Sequence, residues 1–513
     1  MKSKRQEERA LASLQALYAM GYFRTPEPVM TGCHCCPKTE RDLLLPERGQ
    51  TEKGTGKPRP VLYGALAAGA LAAVVAAGWM VFSPSPLLHR QVASATPQVT
   101  EPALPAERPV RGRVMDAETS IPLRGASVWA GSEELRTDED GRFKTGPLRP
   151  RAPFLVKRPG YDVRRLTAET EEVQVALTPR VVRAAYLTYF GVADKSIRER
   201  VLDLVDRTEL NAVVIDVKGD RGMIPYRTQV ALALEAGAQG PVMIKDFEGF
   251  IAALKARGIY TVARIVTFKD NVLAQHRPDL AIIDTRTGKP WIDNEKLAWV
   301  DPFREEVWDY DIAIAREAVG KGFDEIQFDY VRFPTDGKLS AARYSQANNS
   351  QTRLPAIVAF LAKARRELGP TGAFLGVDVF GYTAFNDNDT DVGQRLEELS
   401  AHVDYICPMV YPSGYHLGIP GVRNPVAQPY EIVKESVRLT RKRSAAAVVV
   451  RPWLQDFRDY AFDKRIFGIP EIKAQLRGAK DGGVVGYMLW NPKNDYTGAA
   501  LPPKTIATAK AAP

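Results

Sequence analysis

At 513 residues, 45% of them apolar and 26% charged, the chain is long enough for two or three domains and too apolar for a disordered polymer. Its net charge of +9 is spread over 70 basic and 61 acidic residues with no repeated basic-aromatic stripe. That pattern argues against nucleic acid as a partner.

Residues 1–60 read as a poorly packed segment. Leu11, Leu14, Leu17 and Tyr18 fall at helical spacing inside Met1–Phe23, and Pro, Gly and charge dominate from there to Pro60. The run Cys33-His34-Cys35-Cys36 matches no standard zinc spacing and reads as reduced thiols. Val61–Phe82 then carries 22 residues without a charge, enough to cross a bilayer of about 30 Å. Residues 1–60 hold 11 Lys and Arg, against only Arg90 and Arg108 in residues 83–108. The positive-inside rule therefore predicts a single-pass protein with a cytoplasmic N-terminus and everything after Ser83 exported. Cysteine usage agrees, because only Cys407 of the four lies on the exported side. Five prolines in residues 83–108 mark a semi-extended linker.

Residues 109–179 read as a small β domain. Val110–Val114 and Ala126–Ala130 alternate apolar and polar, Thr137-Asp138-Glu139-Asp140-Gly141-Arg142-Phe143 places a turn before another strand, and Phe154–Val156 and Val173–Leu177 add two more. Asp138, Asp140 and Gly141 lack the 12-residue calcium-loop pattern, so a turn is expected there. The order G-R-V-x-D, P-L-R-G-A-S-V, T-D-E-D-G-R-F and P-G-Y resembles the carboxypeptidase regulatory-like domain, a small β-sandwich. That resemblance implies a spacer or binding module and brings no catalytic group.

From residue 181 to about 500, strands and helices alternate. The expected strands are Ala184–Phe190, Ala212–Val217, Tyr260–Val266, Ile326–Phe333, Phe374–Phe380, Tyr405–Tyr411, Ala447–Leu454 and Val484–Trp490. Ser196–Arg207, Phe247–Arg257, Pro302–Lys321 and Ala356–Leu368 read as helices between them, the third opened by Asp301-Pro302 as cap and first turn. Eight such strands fit an α/β chain whose main body is a (β/α)8 TIM barrel, with the small β-sandwich and one transmembrane helix before it. An open doubly wound sheet is the alternative, weakened by the lack of a Gly-rich phosphate loop after the first strand.

In such a barrel the residues ending each strand share one mouth. Here these are Asp216 and Lys218, Arg264, Asp329 and Arg332, Asp378, Tyr411, Trp453, Gln455 and Asp456, and Trp490 with Asn491. Aromatic faces stack on sugar rings, while Arg, Gln and Asn bond hydroxyls. Two carboxyl groups with opposed pKa values supply glycoside hydrolysis without a cofactor. No His cluster or cysteine pair at ligand spacing signals a metal.

FDEIQFDYVRFP, WVDPFREEVWDY, GVDVFGY, DYICPMVYPSGY and the closing Trp490-Asn491 resemble the bacterial family first catalogued as a domain of unknown function and expected to contain glycosidases. The resemblance covers about Arg183–Asn491 and implies a TIM barrel related to known glycosidases. It makes Asp329 and Asp378 the expected catalytic pair, although no Glu ends the fourth or fifth strand, where related barrels often keep an acid.

Beside a cation Asp329 is expected to stay ionised, as nucleophile or base; Asp378, between apolar neighbours, suits the acid role, with the reverse assignment left open. Asp216, Lys218, Arg264, Arg332, Tyr411, Trp453, Gln455, Asp456, Trp490 and Asn491 are expected to bind substrate. Glu325 reads as solvated, and His402 and His416 as structural. The expected function is an inner-membrane-anchored glycoside hydrolase acting on an envelope or extracellular polysaccharide. A non-catalytic carbohydrate-binding or scaffolding barrel is the alternative; carboxylates buried against Arg would favour it.

Overall fold

The computed structural model describes residues 107–504. The expected membrane span, the linker before residue 107 and the cysteine cluster lie outside them. Among the described residues no helix is long and apolar enough to cross a membrane.

Residues 108–177 build two facing sheets. Arg108–Asp116 is the centre of the first, antiparallel to Arg142–Leu148 and parallel to Glu172–Leu177. The second is antiparallel throughout, in the order Glu133–Arg136, Ser127–Ala130, Pro153–Lys157, Arg164–Thr167. Strict alternation puts Val110 and Val114 inside and Arg111 and Arg113 outside, and the two inner faces meet through Val128, Phe143, Phe154, Val156, Val175 and Leu177. The Asp138 turn forms as expected. Its carboxylate accepts from the backbone N–H of Asp140 (3.0 Å) and Arg142 (2.7 Å), and Gly141 takes φ 72°, a conformation that favours glycine.

The main body is a closed barrel of parallel strands. In chain order these are Arg183–Leu187, Ala212–Lys218, Tyr260–Val266, Glu325–Asp329, Phe374–Phe380, Tyr405–Met409, a split seventh strand of Val449–Val450 and Trp453–Gln455, and Tyr487–Trp490, which pairs back with the first. Pro452 divides the seventh strand because it has no N–H to give the ladder. Side chains of one parity, among them Tyr260, Val262, Tyr405, Cys407 and Met488, fill the lumen. The other parity, with Ala263, Ile265, Ile326, Phe328 and Val377, packs under the helices.

Three expectations need correcting. The fourth strand stops at Asp329 instead of running to Phe333, because Tyr330 turns into the left-handed region at φ 52°. The helix expected from Pro302 starts at Glu305; the Asp301 carboxylate instead accepts from the N–H of Phe303 (3.0 Å) and of Ser345 (2.6 Å), tying two loops together. Glu325 is fully buried rather than solvated. It shares parity with Asp329, so it must enter the lumen, where it meets Arg451 and the Tyr260 hydroxyl (3.1 Å).

The small sheets cover the barrel floor, opposite the strand ends that form the mouth. Lys157, 1% exposed, donates to the Ala373 carbonyl (2.5 Å) and to Asp404 Oδ2 (3.0 Å), just before the fifth and sixth strands. Arg365, from the helix Ser350–Leu368, is bidentate on Glu134 and reaches Asp404 at 3.4 Å. Gly160 N–H donates to the Tyr405 hydroxyl at 3.0 Å. This seam is buried and ionic. Breaking one side of a buried pair costs about 3–5 kcal/mol, less where a second cation remains. Lys157→Met should therefore lower unfolding stability by about 2–4 kcal/mol in urea denaturation, and a fragment from residue 181 should melt without a cooperative transition.

Candidate active site

Arg264 stands at the middle of the mouth, 1% exposed on the third strand. Its Nε and one terminal nitrogen donate to Asp329 Oδ2 (3.0 and 2.6 Å), the other to Asp216 Oδ1 (2.8 Å), and Asp220 Oδ1 adds a contact at 3.1 Å. A planar five-donor fork is the side chain suited to such multiple carboxylate contacts. Burial works against its charge, but Asp216 and Asp329 outweigh that and drive its pKa up. The guanidinium also lies 5.0 Å from the Trp490 ring and 5.5 Å from that of Tyr186. Those two rings stack at 4.0 Å, with Trp453 edge-on to both.

Asp216 is held from the other side by the Tyr186 hydroxyl (2.6 Å) and Tyr189 N–H (3.1 Å). Burial raises its pKa, with Asp220 adding to the rise. Asp329 Oδ1 accepts from Tyr330 N–H at 2.6 Å, a bond the left-handed turn makes possible.

Asp378 has a different environment. Gln327 pairs with Gly376 and Phe328 with Val377, so Asp329 and Asp378 are the next cross-strand neighbours at one level of the lumen. Asp378 Oδ1 accepts from Gln327 Nε2 (2.7 Å) and Trp453 Nε1 (2.8 Å), and among the described residues no cation pairs with it. Burial first, and the neighbouring Asp329 second, push its pKa well above the carboxylate range. Tyr411, half-buried two residues past the end of the sixth strand, has its pKa pushed up by burial and then by Asp378 and Asp329.

Several expected site residues are turned elsewhere. Lys218 would share parity with Asp216, but a bulge aligns Asp216 with Arg264 and Lys218 with the outward Ile265. Lys218 therefore leaves the lumen for the strand–helix layer and pairs with Asp270 and Asp311, each at 2.7 Å. Arg332 is not on Asp329: its guanidinium lies 5.0, 4.7 and 4.7 Å from the rings of Trp299, Tyr330 and Phe380. Gln455 is taken up by Ser413 and the Phe457 carbonyl. Asp456 accepts from Thr497 N–H (2.8 Å) and hydroxyl (2.7 Å), and burial raises its pKa to about 6. Asn491 donates to the carbonyls of Asp456 and Asp495. These last three fasten loops rather than face the lumen. His402 and His416 have pKa values lowered by burial and are not bonded to Asp329 or Asp378 among the described residues.

The family model described as "Putative glycosyl hydrolase domain" matches residues 184–496, the whole barrel. The chain belongs to this family. No curated protein matches it. Among solved structures, a hypothetical protein from Ruminiclostridium thermocellum ATCC 27405 is 36% identical over 38% of this chain and 97% of its own, at a TM-score of 0.34. The PgaB (BpsB) glycoside hydrolase domain from Bordetella bronchiseptica is 14% identical, covering 61% of this chain and 95% of its own, with a TM-score of 0.44. A class V chitinase from Pseudomonas fluorescens Pf-5 is 13% identical over 63% and 98%, at 0.40. The family match alone carries the assignment to glycoside hydrolases.

Within this glycosyl hydrolase barrel, sequence reasoning missed Tyr186, Asp220 and Gln327. Parity could have found two of them: Gln327 lies between the inward Glu325 and Asp329, and Tyr186 is two residues after the inward Ala184. Asp220 sits in a loop, where periodicity gives no signal. Arg264→Met should leave Asp216 and Asp329 buried without their cation and cost about 3–5 kcal/mol in thermal or urea unfolding. Arg264→Lys should fall between, since a point charge cannot bridge both carboxylates with a planar fork.

Proposed function

We propose that this glycoside hydrolase cleaves a cell-envelope or extracellular polysaccharide with Asp378 as general acid and Asp329 as nucleophile. The observation that carries the reading is the contrast between two neighbouring carboxyl groups. One is ion-paired with Arg264; the other is buried, without a paired cation among the described residues, and inclined to hold its proton. Taken alone, Asp329 fits the non-catalytic reading, since it is buried against an arginine. Asp378 is what favours the enzyme, because a scaffold gains nothing from an unpaired buried acid.

With Oδ1 engaged by Gln327 and Trp453, Asp378 Oδ2 is the oxygen that carries the proton and gives it to the glycosidic oxygen as that bond breaks. Asp329 attacks the anomeric carbon, and Arg264 and the Tyr330 N–H fix its orientation. Asp378, now ionised, takes a proton from water, which hydrolyses the glycosyl ester and frees Asp329. With Asp329 as nucleophile the reaction passes through a glycosyl ester and two successive displacements at the anomeric carbon. Retention of anomeric configuration is the expected outcome, read by NMR of the first product.

Full-length protein should hydrolyse at least one member of a glycan panel. Asp378→Asn and Asp329→Asn should each reduce turnover by about 10² or more while folding is kept. The acid must be protonated to act, so a raised pKa preserves activity at higher pH and the rate falls once Asp378 ionises. In the wild type that alkaline limb should be present; in Asp378→Asn it should vanish from the residual rate. Wild-type rates in both variants would mean that other groups do the chemistry.

The uncharged run Val61–Phe82 and the surrounding charge imbalance support an inner-membrane anchor with the barrel on the outer side. A reporter fused after Pro109 should be active in the periplasm and silent in the cytoplasm.

A further inference from the structure

Arg332 is a cation that the chemistry above leaves unused. It is 9% exposed, yet among the described residues no carboxylate lies within ion-pair distance of its guanidinium. One terminal nitrogen donates to the Phe333 carbonyl (3.1 Å) and approaches the Thr335 hydroxyl (3.4 Å). The other terminal nitrogen and Nε have no hydrogen-bond partner among the described residues. An arginine this deeply buried is ordinarily matched by an anion. Lys269, 5.2 Å from the same Tyr330 ring, shows the ordinary arrangement, paired with Glu295 (2.7 Å) and Asp293 (3.3 Å). Of the two cations flanking Tyr330, one is matched within the protein and the other is not.

Rings hold the unmatched one in place. The Arg332 guanidinium lies 5.0 Å from the Trp299 ring and 4.7 Å from each of Tyr330 and Phe380. Cation–π attraction offsets part of the lost hydration, but a ring face neither balances the charge nor accepts from the edge of the fork. The cage therefore fixes a planar donor group and leaves its edge to be met by a ligand.

The cage belongs to the mouth. Phe380 shares parity with Asp378 and stands one step above it on the fifth strand, while Tyr330 directly follows Asp329. Gln394, 1% exposed, joins the two segments. Its Nε2 donates to the carbonyls of Val331 and Asp378, both at 3.2 Å, and its Oε1 accepts from Phe380 N–H at 3.0 Å. The backbone beside Arg332 is thus fastened to the backbone of Asp378.

We propose that Arg332 binds an anionic group, a carboxylate or a phosphate, on the sugar unit held beside Asp329 and Asp378, so that the substrate is an acidic polysaccharide. This rests on the reading of the mouth as a glycan-cleaving site. The test titrates full-length wild type, Arg332→Met and Arg332→Lys by calorimetry with acidic glycan fragments, each beside its own neutral form. Uronic acid oligomers are set against carboxyl-reduced ones, and phosphorylated oligosaccharides against dephosphorylated ones, so that the pair showing a difference identifies the group. Wild type should bind at least one acidic form about tenfold or more tighter than its neutral form, the scale of one charge-assisted hydrogen bond. Arg332→Met should bind both forms alike, and Arg332→Lys should keep part of the preference, since it retains the charge without the fork. The proposal is overturned if wild type binds every neutral form as tightly as its acidic parent, or if Arg332→Met keeps the preference. Should Arg332→Met fail to fold, the wild-type comparison still decides. The same glycans are assayed for hydrolysis in parallel. A preference that depends on Arg332, with no hydrolysis of any glycan, would leave the anion site standing and remove the catalytic reading. Hydrolysis of neutral forms without any preference would do the reverse.

Discussion

One guanidinium organises the upper half of this barrel. A TIM barrel's lumen is ordinarily packed with branched apolar side chains, and three aspartates gathered near its mouth would repel one another and shed their charge. Arg264 makes the gathering possible by giving donors to Asp216, Asp220 and Asp329 together. It leaves Asp378 out. The difference between the two carboxyl groups of the fourth and fifth strands thus arises from where one side chain's donors end, not from any difference in residue type.

The lumen is polar along much of its depth. At the floor Glu325 meets Arg451, whose guanidinium lies 4.3 Å from the Tyr405 ring. Higher up, Gln327 and Trp453 converge on Asp378, and beside them, in register, stands the Arg264 cluster. Buried polar groups cost stability unless each finds a partner, and here pairs and networks supply most of them, while Gln327 Oε1 and Arg451 Nε have no hydrogen-bond partner among the described residues. The layer between strands and outer helices is mainly apolar, interrupted by the buried cluster of Lys218 with Asp270 and Asp311.

Sequence periodicity revealed the barrel because its strands are short runs rich in β-branched residues between amphipathic helices, and the third and fifth were legible to the residue. It failed where a local conformation departs from period. The bulge beside Val217 sends Lys218 outward, and the left-handed Tyr330 ends a strand that reads as continuing to Phe333. Asp329, Asp378, Arg264, Trp453 and Trp490 were legible because they lie inside regular strands or at their last residue. Gln455 also ends a strand, and Asp456 and Asn491 each follow one directly, but loop groups of Ser413, Phe457, Thr497 and Asp495 claimed their donors and acceptors, and no sequence rule states that preference. Glu325 follows the periodic rule, since its parity with Asp329 directs it into the lumen.

The floor of the barrel has a bearing on descent. The family match begins at residue 184, so the two small sheets lie outside it, yet they supply Lys157, the ammonium that meets Asp404 under the sixth strand. A barrel that is incomplete without its neighbour cannot be shuffled freely between genes. In a relative without these sheets water would reach Asp404 in place of the ammonium, and Arg365 of the barrel itself would still lie beside it.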